Sequence, residues 1–341
     1  MASSGPGGLT AGSVRSMARA RRSRHGGSGD AAWQRFLSRT SEATGLTTEQ
    51  LLDRLHGAGS TSVRVNPLHP DGLDAITAEL RHRWPALEPM PGDPHSWLCS
   101  DEAPAHELIP LANEGRVYLQ NAASLLPVLA LDVKPGQRVL DAAAAPGGKA
   151  FNIAGRLGGT GELWLNDAIR PRLHKLQELA RLHHVRPAAV TEHKAQYLDK
   201  FLGDQRFDRI LVDAQCTGEG RFDLRKRSAL RYWSEERVRE YSHQQTKMIV
   251  AAARLLAPGG VLVYSTCTIA PEENEVAVNR ALGRRDDLEL AGLGLDPALD
   301  EVVPGLTRWQ GERLDPSLSR TGRTLPGGRF EAFFLAKLVK R

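Results

Sequence analysis

Cysteine and long apolar runs are both scarce in this chain, and each absence limits what it can be. Only three of its 341 residues are cysteine, at positions 99, 216 and 267. Three thiols cannot all pair with one another, so a disulfide framework is excluded and a reducing, cytoplasmic setting is expected. No apolar run approaches the roughly 20 residues that a membrane-spanning helix needs. We therefore expect no membrane contact.

Metal-ligand spacing is missing as well, because the 11 histidines show none of the patterns typical of metal sites. We expect no metal. Acidic residues are scarce at the start: residues 1–30 contain five arginines and one acid, Asp30. Such a stretch cannot bury enough apolar surface to fold alone, so we predict a disordered basic tail, with a transit peptide as the alternative. The net charge of +5 permits a polyanionic partner without requiring one.

Residues 31–112 are predicted to form a small α+β module. Trp33, Phe36 and Leu37 lie at helical spacing, and Thr47 with Gln50 is a capping pattern that begins a helix. Residues 62–66 alternate like a strand and stop at a proline. Proline-rich turns are predicted over 87–104.

From residue 113 to 341 helix and strand patterns alternate, and we predict a second domain. A helix is expected from Val117 to Leu129, followed by strands at 137–140, 162–165, 209–212 and 260–265 with helices between them. This alternation predicts an α/β fold with helices on both faces of a mostly parallel sheet. Because ligands of such sheets bind beyond the carboxyl ends of the strands, we expect these strand-end residues at one rim: Asp141, Asp167, Asp213 and Cys267.

A glycine-rich turn at 141–149, Asp-Ala-Ala-Ala-Ala-Pro-Gly-Gly-Lys, follows the first of these strands. Gly147 and Gly148 allow a ligand to approach the backbone, whose N–H groups suit a carboxylate such as that of S-adenosylmethionine. Asp167 lies 19 residues beyond Gly148, where an acid suits ribose hydroxyls. The alternatives are an ordinary strand–helix turn and a helix cap.

Cys216 and Cys267 both lie just beyond predicted strands, among Ser, Thr and Gly. A thiolate that adds to carbon 6 of a pyrimidine makes carbon 5 nucleophilic enough to accept a methyl group. A nearby carboxylic acid can steady the charge on the ring, and Lys149 can lower a thiol pKa. The alternative is that the cysteines are buried apolar residues.

Residues 221–233 contain five basic residues and one acid, interleaved with Phe222, Tyr232 and Trp233. Basic residues contact phosphates and aromatic rings stack on unpaired bases, so this segment is predicted to bind nucleic acid. A solvated charged helix face is the alternative.

Taken together, these motifs resemble the Nop/Sun family of RNA (cytosine-5) methyltransferases, over roughly residues 60–340. Members carry an aspartate and small residues before Ala-Pro-Gly-Gly-Lys, as within 141–149. They carry Asp-Ala-Pro-Cys-Ser-Gly, present at 213–218 with two changes, and Tyr-Ser-Thr-Cys followed by Glu-Glu-Asn-Glu, present at 264–267 and 272–275. The segments 118–124 and 330–336 are also similar to the family.

The resemblance implies a Rossmann-like class I methyltransferase domain behind a smaller N-terminal α+β RNA-binding module, with no metal and as a monomer. It implies that Cys267 attacks carbon 6, that Cys216 assists product release, that Asp213 contacts the base and that Lys149 supports them. The implied cofactor is S-adenosylmethionine, held by Ala143, Ala144, Ala145, Pro146, Gly147, Gly148, Lys149, Asp167 and Asp213.

Ribosomal RNA of the small subunit is the first expected substrate, because residues 213–233 look most like the bacterial ribosomal members. Transfer RNA is the second, and a non-catalytic RNA-binding assembly factor is the remaining alternative. Two departures from the family matter. Gln215 replaces a proline before Cys216, and Lys194 occupies the place where relatives often have an acid near the cofactor.

Overall fold

The structure is a computed structural model that describes residues 26–57 and 59–341. Residues 1–25 of the predicted basic tail lie outside the described residues. The last five residues of that predicted tail are helical, since helix α1 begins at Gly26. None of the described helices is long and apolar enough to span a membrane. The described residues also contain no cluster of His, Cys, Asp or Glu suited to a metal ion.

The N-terminal part combines short helices with a small antiparallel sheet. The elements are α1 (Gly26–Thr44), α2 (Thr48–Arg54), β1 (Thr61–Val65), α3 (Leu73–Arg83), β2 (Glu88–Met90), β3 (Asp93–Leu98), α4 (Ile109–Asn113) and β4 (Val117–Asn121). The predicted cap of α2 is confirmed, because the Thr47 hydroxyl accepts from the Gln50 backbone N–H and the Gln50 side chain accepts in return. Among the described residues this sheet has the order β2-β3-β1-β4.

Two predictions for this region are wrong. Residues 87–104 contain strands β2 and β3 and not only turns, because Pro89 lies on an edge strand, where a missing N–H interrupts no ladder. Val117 does not begin a helix: it begins β4 and pairs with Val65 of β1. The next helix, α5 (Leu126–Leu131), starts only after a 3-10 turn at Ala122–Leu125.

The C-terminal part is built on a larger sheet. Its strands and helices are β5 (Arg138–Asp141), α6 (Gly148–Leu157), β6 (Glu162–Asn166), α7 (Arg170–Leu182), β7 (Ala189–Thr191), α8 (Leu198–Leu202), β8 (Phe207–Asp213), α9 (Glu235–Leu255), β9 (Leu256–Thr266), α10 (Glu275–Leu282), β10 (Leu288–Ala291), β11 (Val302–Pro304), β12 (Arg308–Trp309), β13 (Glu312–Arg313), β14 (Gly322–Thr324) and β15 (Phe333–Lys340). Strands β12 and β13 form a separate hairpin.

Within the described chain the large sheet has the order β11-β14-β15-β9-β8-β5-β6-β7, with β10 added beside β15. Strands β5 to β9 are parallel, and β15 joins β9 in the antiparallel direction. Side chains of α8, α9 and α10 cover one face of the sheet, and those of α5, α6 and α7 cover the other. This arrangement confirms the predicted α/β, Rossmann-like class.

Residues on both sides of the boundary predicted at residue 112 contribute to the small sheet and to a shared core. The small sheet continues to Asn121, beyond the boundary predicted at residue 112. Helix α1 packs with the C-terminal part instead of with the small sheet, since Trp33 and Phe36 share a core with Trp233, Ile269 and other residues of that part.

Candidate active site

The predicted site residues meet where the strand order reverses. Strand β5 lies between β6 and β8, and the next strands in sequence continue outward from β6 on one side and β8 on the other. Such a reversal leaves a crevice beyond the carboxyl ends of the strands. Asp141 ends β5 and Asp213 ends β8, and both line a cleft of about 590 Å³. The cleft is also lined by every other predicted site residue except Gly147.

Close packing explains why positions 147 and 148, in the turn at 141–149, are occupied by glycine. Gly147 has φ +125°, and a Cβ there would lie 2.4 Å from the ring of Phe151. A Cβ on Gly148 would lie 2.7 Å from Gln120 Oε1 and 2.9 Å from Tyr118 Cε1. The turn is therefore held between α6 and strand β4 of the small sheet, which thus forms one wall of the cleft.

The lining of this wall is suited to a polar ligand. Both amide atoms of Gln120 and the Nδ2 atom of Asn121 are buried and have no hydrogen-bond partner among the residues that the structure describes. A buried amide without a hydrogen bond costs free energy, so such groups are found mainly where a ligand or a water molecule supplies the missing hydrogen bond. In the sequence, segment 118–124 stands out only through its similarity to the family, which assigns no role to Gln120 or Asn121.

Asp167 lies on the opposite side of the glycine turn and is buried. Its carboxylate accepts from the backbone N–H groups of Ala145 (3.2 Å) and Ile169 (3.0 Å), so it also shapes the turn. A carboxylate offers about four lone-pair sites, which leaves acceptor capacity for ribose hydroxyls. Lys194, by contrast, is exposed and does not line the cleft, which Ala195 and Gln196 border instead.

Lys149 and Asp213 form the charged centre of the cleft. Lys149 Nζ lies 2.8 Å from Asp213 Oδ2, and the Ser265 hydroxyl donates to Asp213 Oδ1 at 2.7 Å. Burial alone would lower the pKa of Lys149, but the charge and hydrogen bond of Asp213 outweigh it and raise that pKa. Burial, together with the charge of Asp213, raises the pKa of Asp141 to about 7. Lys149 is thus paired with Asp213, while the buried Asp141 keeps its proton more readily.

The two cysteines predicted to act together are neighbours: Cys216 Sγ lies 3.5 Å from Cys267 Sγ. The hydrogen bond between them and the burial of the pair raise the pKa of Cys216 well above its usual value. The same hydrogen bond lowers the pKa of Cys267, against the effect of burial and with help from the charge of Arg221. The arrangement favours a Cys267 thiolate that accepts a hydrogen bond from a Cys216 thiol.

The loop that carries Cys216 is held in place by hydrogen bonds from two buried side chains, Glu273 and Gln245. Glu273 is fully buried and accepts from the Thr217 backbone N–H (3.1 Å), the Thr217 hydroxyl and Gln245 Nε2 (2.9 Å). Gln245 Nε2 also donates to the carbonyl of Gln215 at 2.9 Å. The backbone of Gln215 is therefore held by Gln245 although the proline of the family is missing.

The segment 221–233 only partly fits its prediction as an RNA-stacking segment. Trp233 is buried and donates to Glu219 at 2.6 Å, and Phe222 packs into the same core, so the predicted stacking role of these two rings is wrong. Tyr232 is 70% exposed. Arg221 pairs with Glu331 at 3.1 Å and Arg225 with Asp223 at 2.8 Å, so these cations are engaged within the chain.

Comparison with known proteins identifies the family. A family model described as 16S rRNA methyltransferase RsmB/F matches residues 128–339. The chain belongs to this family. The predicted membership of the wider Nop/Sun group of RNA (cytosine-5) methyltransferases is thereby confirmed.

The relatives of this RsmB/F-family chain act on different RNAs. It is 34% identical over 282 residues to the tRNA (cytosine(49)-C(5))-methyltransferase of Pyrococcus abyssi, with 82% of the chain and 88% of the relative covered. It is 36% identical over 283 residues to ribosomal RNA small subunit methyltransferase F of Escherichia coli, with 80% of the chain but only 57% of the relative covered. The 25S rRNA (cytosine-C(5))-methyltransferase nop2 of Schizosaccharomyces pombe is 35% identical over 234 residues, 66% of the chain and 37% of its own length. The chain thus spans little more than half of its bacterial ribosomal relative.

Solved structures agree with the fold. A methyltransferase homolog protein from Pyrococcus horikoshii has a TM-score of 0.72 at 26% identity, with 90% of this RsmB/F-family chain and 94% of the other covered. NSun6 from the same organism, solved with SFG, has a TM-score of 0.67 at 20% identity, with 89% and 97% covered.

Proposed function

We propose that this protein is an S-adenosylmethionine-dependent methyltransferase that modifies carbon 5 of cytosine in RNA. The observation that carries the proposal is the thiol pair Cys216–Cys267 at 3.5 Å, in one cleft with the Lys149–Asp213 ion pair. A methyltransferase that acts on an already nucleophilic atom needs no such thiols. Family membership supports the same reaction.

Small-subunit ribosomal RNA is the proposed substrate, because the matching family model describes 16S rRNA methyltransferases. Transfer RNA is the second candidate, because the chain covers 88% of an archaeal relative named for tRNA. Bisulfite sequencing of 16S rRNA and tRNA, each incubated with the protein and S-adenosylmethionine, separates the two.

S-adenosylmethionine would lie against the glycine turn and Asp167, and it supplies the methyl group when bound. The turn offers the N-terminal backbone N–H groups of α6, which suit a carboxylate. The unpaired amides of Gln120 and Asn121 face the same cleft. The lining of the cleft therefore fits this cofactor.

In the proposed reaction the Cys267 thiolate adds to carbon 6 of the cytosine. The electron pair released at carbon 5 would form the new bond to the methyl group, whose bond to the sulfur of the cofactor would break at the same time. Asp213, held by Lys149 and Ser265, contacts the ring where charge develops. After Cys267 has bonded to carbon 6, Cys216 passes its own proton to solvent and takes the proton of carbon 5, and the bond from carbon 6 to Cys267 then breaks to restore the ring and the thiolate.

The test compares the effects of replacing each of the two cysteines. Cys216→Ala should still form the bond through Cys267 but release it slowly, so a protein–RNA adduct that survives denaturing electrophoresis should accumulate. Cys267→Ala and the double variant should form none and should transfer no methyl groups, while all three should still bind S-adenosylhomocysteine in calorimetry. An adduct formed by Cys267→Ala alone would reverse the two roles. Normal turnover by Cys267→Ala would exclude this thiol mechanism.

A further inference from the structure

A second concavity, of about 390 Å³, lies beside the cleft on the face of the sheet covered by α8, α9 and α10. We call it the outer groove. It is lined by residues of α8 and α9, the 3-10 turn before α8, and Arg284 just beyond α10. Gln196 lines both cavities, and α9 places Met248 in the cleft and Lys247 in the outer groove. The outer groove therefore begins at the rim of the candidate active site.

Positive charge dominates the outer groove. Its lining contains four cations, Lys200, Lys247, Arg254 and Arg284, and one acid, Asp199. Asp199 is already paired with Arg254 at 2.6 Å. The other three cations form no ion pair with any residue in the described part of the chain. Cations gathered in one concavity attract a polyanion more strongly than cations spread over a surface.

Two exposed aromatic residues belong to the same part of the chain: Tyr197 lines the outer groove, and Phe201 follows Lys200 in α8 but lies outside the lining of the groove. Phe201 at the end of α8 is 58% exposed and Tyr197 is 40% exposed. One face of the Phe201 ring stacks on His193, with centroids 4.0 Å apart and planes 3° from parallel. A large apolar ring held flat and open to solvent is suited to stacking on an unpaired base.

We propose that the outer groove binds single-stranded RNA that flanks the target cytosine. Lys200, Lys247 and Arg284 contact its phosphates, and an unpaired base stacks on Phe201. This inference rests on the proposed function and adds an RNA-binding surface distinct from segment 221–233, where Arg221 and Arg225 are engaged in ion pairs. Because Gln196 lines both the outer groove and the cleft, the two cavities are close enough for one strand to occupy both.

The experiment compares two triple variants that remove equal charge. Lys200→Gln, Lys247→Gln and Arg284→Gln alter the outer groove. Lys175→Gln, Arg181→Gln and Arg186→Gln alter exposed residues on and just after α7, on the opposite face of the sheet. Binding of a labelled, cytosine-containing single-stranded RNA is measured by fluorescence anisotropy over a range of salt concentrations.

For the groove variant, the slope of log affinity against log salt should become shallower by roughly 2, since each phosphate contact on a single strand contributes about 0.7. The control variant should retain the wild-type slope. Phe201→Leu should weaken binding roughly 5- to 150-fold without changing the slope. All variants should bind S-adenosylhomocysteine like the wild type, because none of the changed residues lines the cleft.

Equal slopes in the two triple variants would overturn the inference and leave the proposed function intact. If Phe201→Leu bound the RNA with unchanged affinity, Phe201 would not stack on a base, and that part of the inference would be wrong. A wild-type protein that neither bound nor methylated RNA would overturn the proposed function and this inference together.

Discussion

At the scale of single residues, the buried carboxyl group of Glu273 distinguishes this site from a simple pair of thiols. Burial, reinforced by the charge of Glu219, raises the pKa of Glu273 to about 8, although three donors point at its oxygens. A protonated carboxyl group keeps the capacity to accept hydrogen bonds, and the Thr217 hydroxyl that donates to Glu273 lies 2.8 Å from the Thr268 hydroxyl. Protonated Glu273 therefore holds the Cys216 loop without a buried charge.

We predict that Glu273→Gln changes the pH dependence of stability. A raised pKa in the folded state means that the stabilising contribution is complete below the unfolded pKa of about 4.3, declines above it, and is lost once the pH passes about 8. The neutral Gln side chain has no such dependence. The free energy of unfolding of the wild type should therefore fall relative to that of the variant, by up to about 4 kcal/mol between about pH 5 and pH 9.

Urea unfolding of both proteins across this pH range provides the measurement, and taking the difference cancels the titration of groups that do not interact with Glu273. A difference that stays constant with pH would mean that Glu273 is ionised throughout, with its three donors outweighing burial.

Sequence reasoning found the strand-end residues of the site but missed the residues that hold them. Asp213 and Cys267 could be placed because parallel strands bring their carboxyl ends to one edge. The contact between Thr217 and Glu273 spans 56 positions, and no local pattern signals it. The segment 272–275 was noticed only through the family resemblance, without a role for Glu273.

At the scale of elements, the glycine turn depends on how closely β4 approaches α6. Sequence patterns failed for β4, because the apolar residues from Val117 to Leu129 fit a helical period although the first five residues pair with β1. The pattern therefore predicts a helix where the structure has a strand that forms part of a wall of the cleft.

We predict that Gly148→Ala weakens this junction. Its Cβ would meet Gln120 Oε1 at 2.7 Å and Tyr118 Cε1 at 2.9 Å, so β4 must move away from α6. Overpacking of this kind typically costs about 1–3 kcal/mol. Both the free energy of unfolding in urea and the affinity for S-adenosylhomocysteine in calorimetry should fall.

Gly283→Ala is the matched control. Gly283 has φ −66°, and its nearest contact for a Cβ is Asn279 O at 3.7 Å, so this change should leave cofactor affinity unchanged. If Gly148→Ala behaved like Gly283→Ala, the small sheet would not shape the cofactor site.

At the scale of the whole molecule, elements on both sides of the boundary predicted at residue 112 pack together. Helix α1 precedes the small sheet in sequence but packs on the C-terminal part. Phe36 lies 5.3 Å from Trp233 and 5.6 Å from Phe222, measured between ring centroids, and Trp233 in turn donates to Glu219. This packing could not be read from the sequence, because the apolar face of α1 predicts burial but does not say against which partner.

We predict that Phe36→Ala destabilises the cofactor-binding part of the molecule and not a separate N-terminal module. Phe36 is 1% exposed, and truncation of a buried phenylalanine typically costs about 3–5 kcal/mol. Leu52→Ala on α2 is the control, since Leu52 is 40% exposed and its loss should cost much less.

Binding of S-adenosylhomocysteine is followed as urea increases, alongside tryptophan fluorescence. In Phe36→Ala both signals should be lost at a lower urea concentration than in the wild type, because the core of α1 continues into the Cys216 loop through Trp233 and Glu219. If the loss of cofactor binding kept its wild-type midpoint while part of the fluorescence change moved, α1 would belong to an independent module, and the boundary predicted from the sequence would regain support.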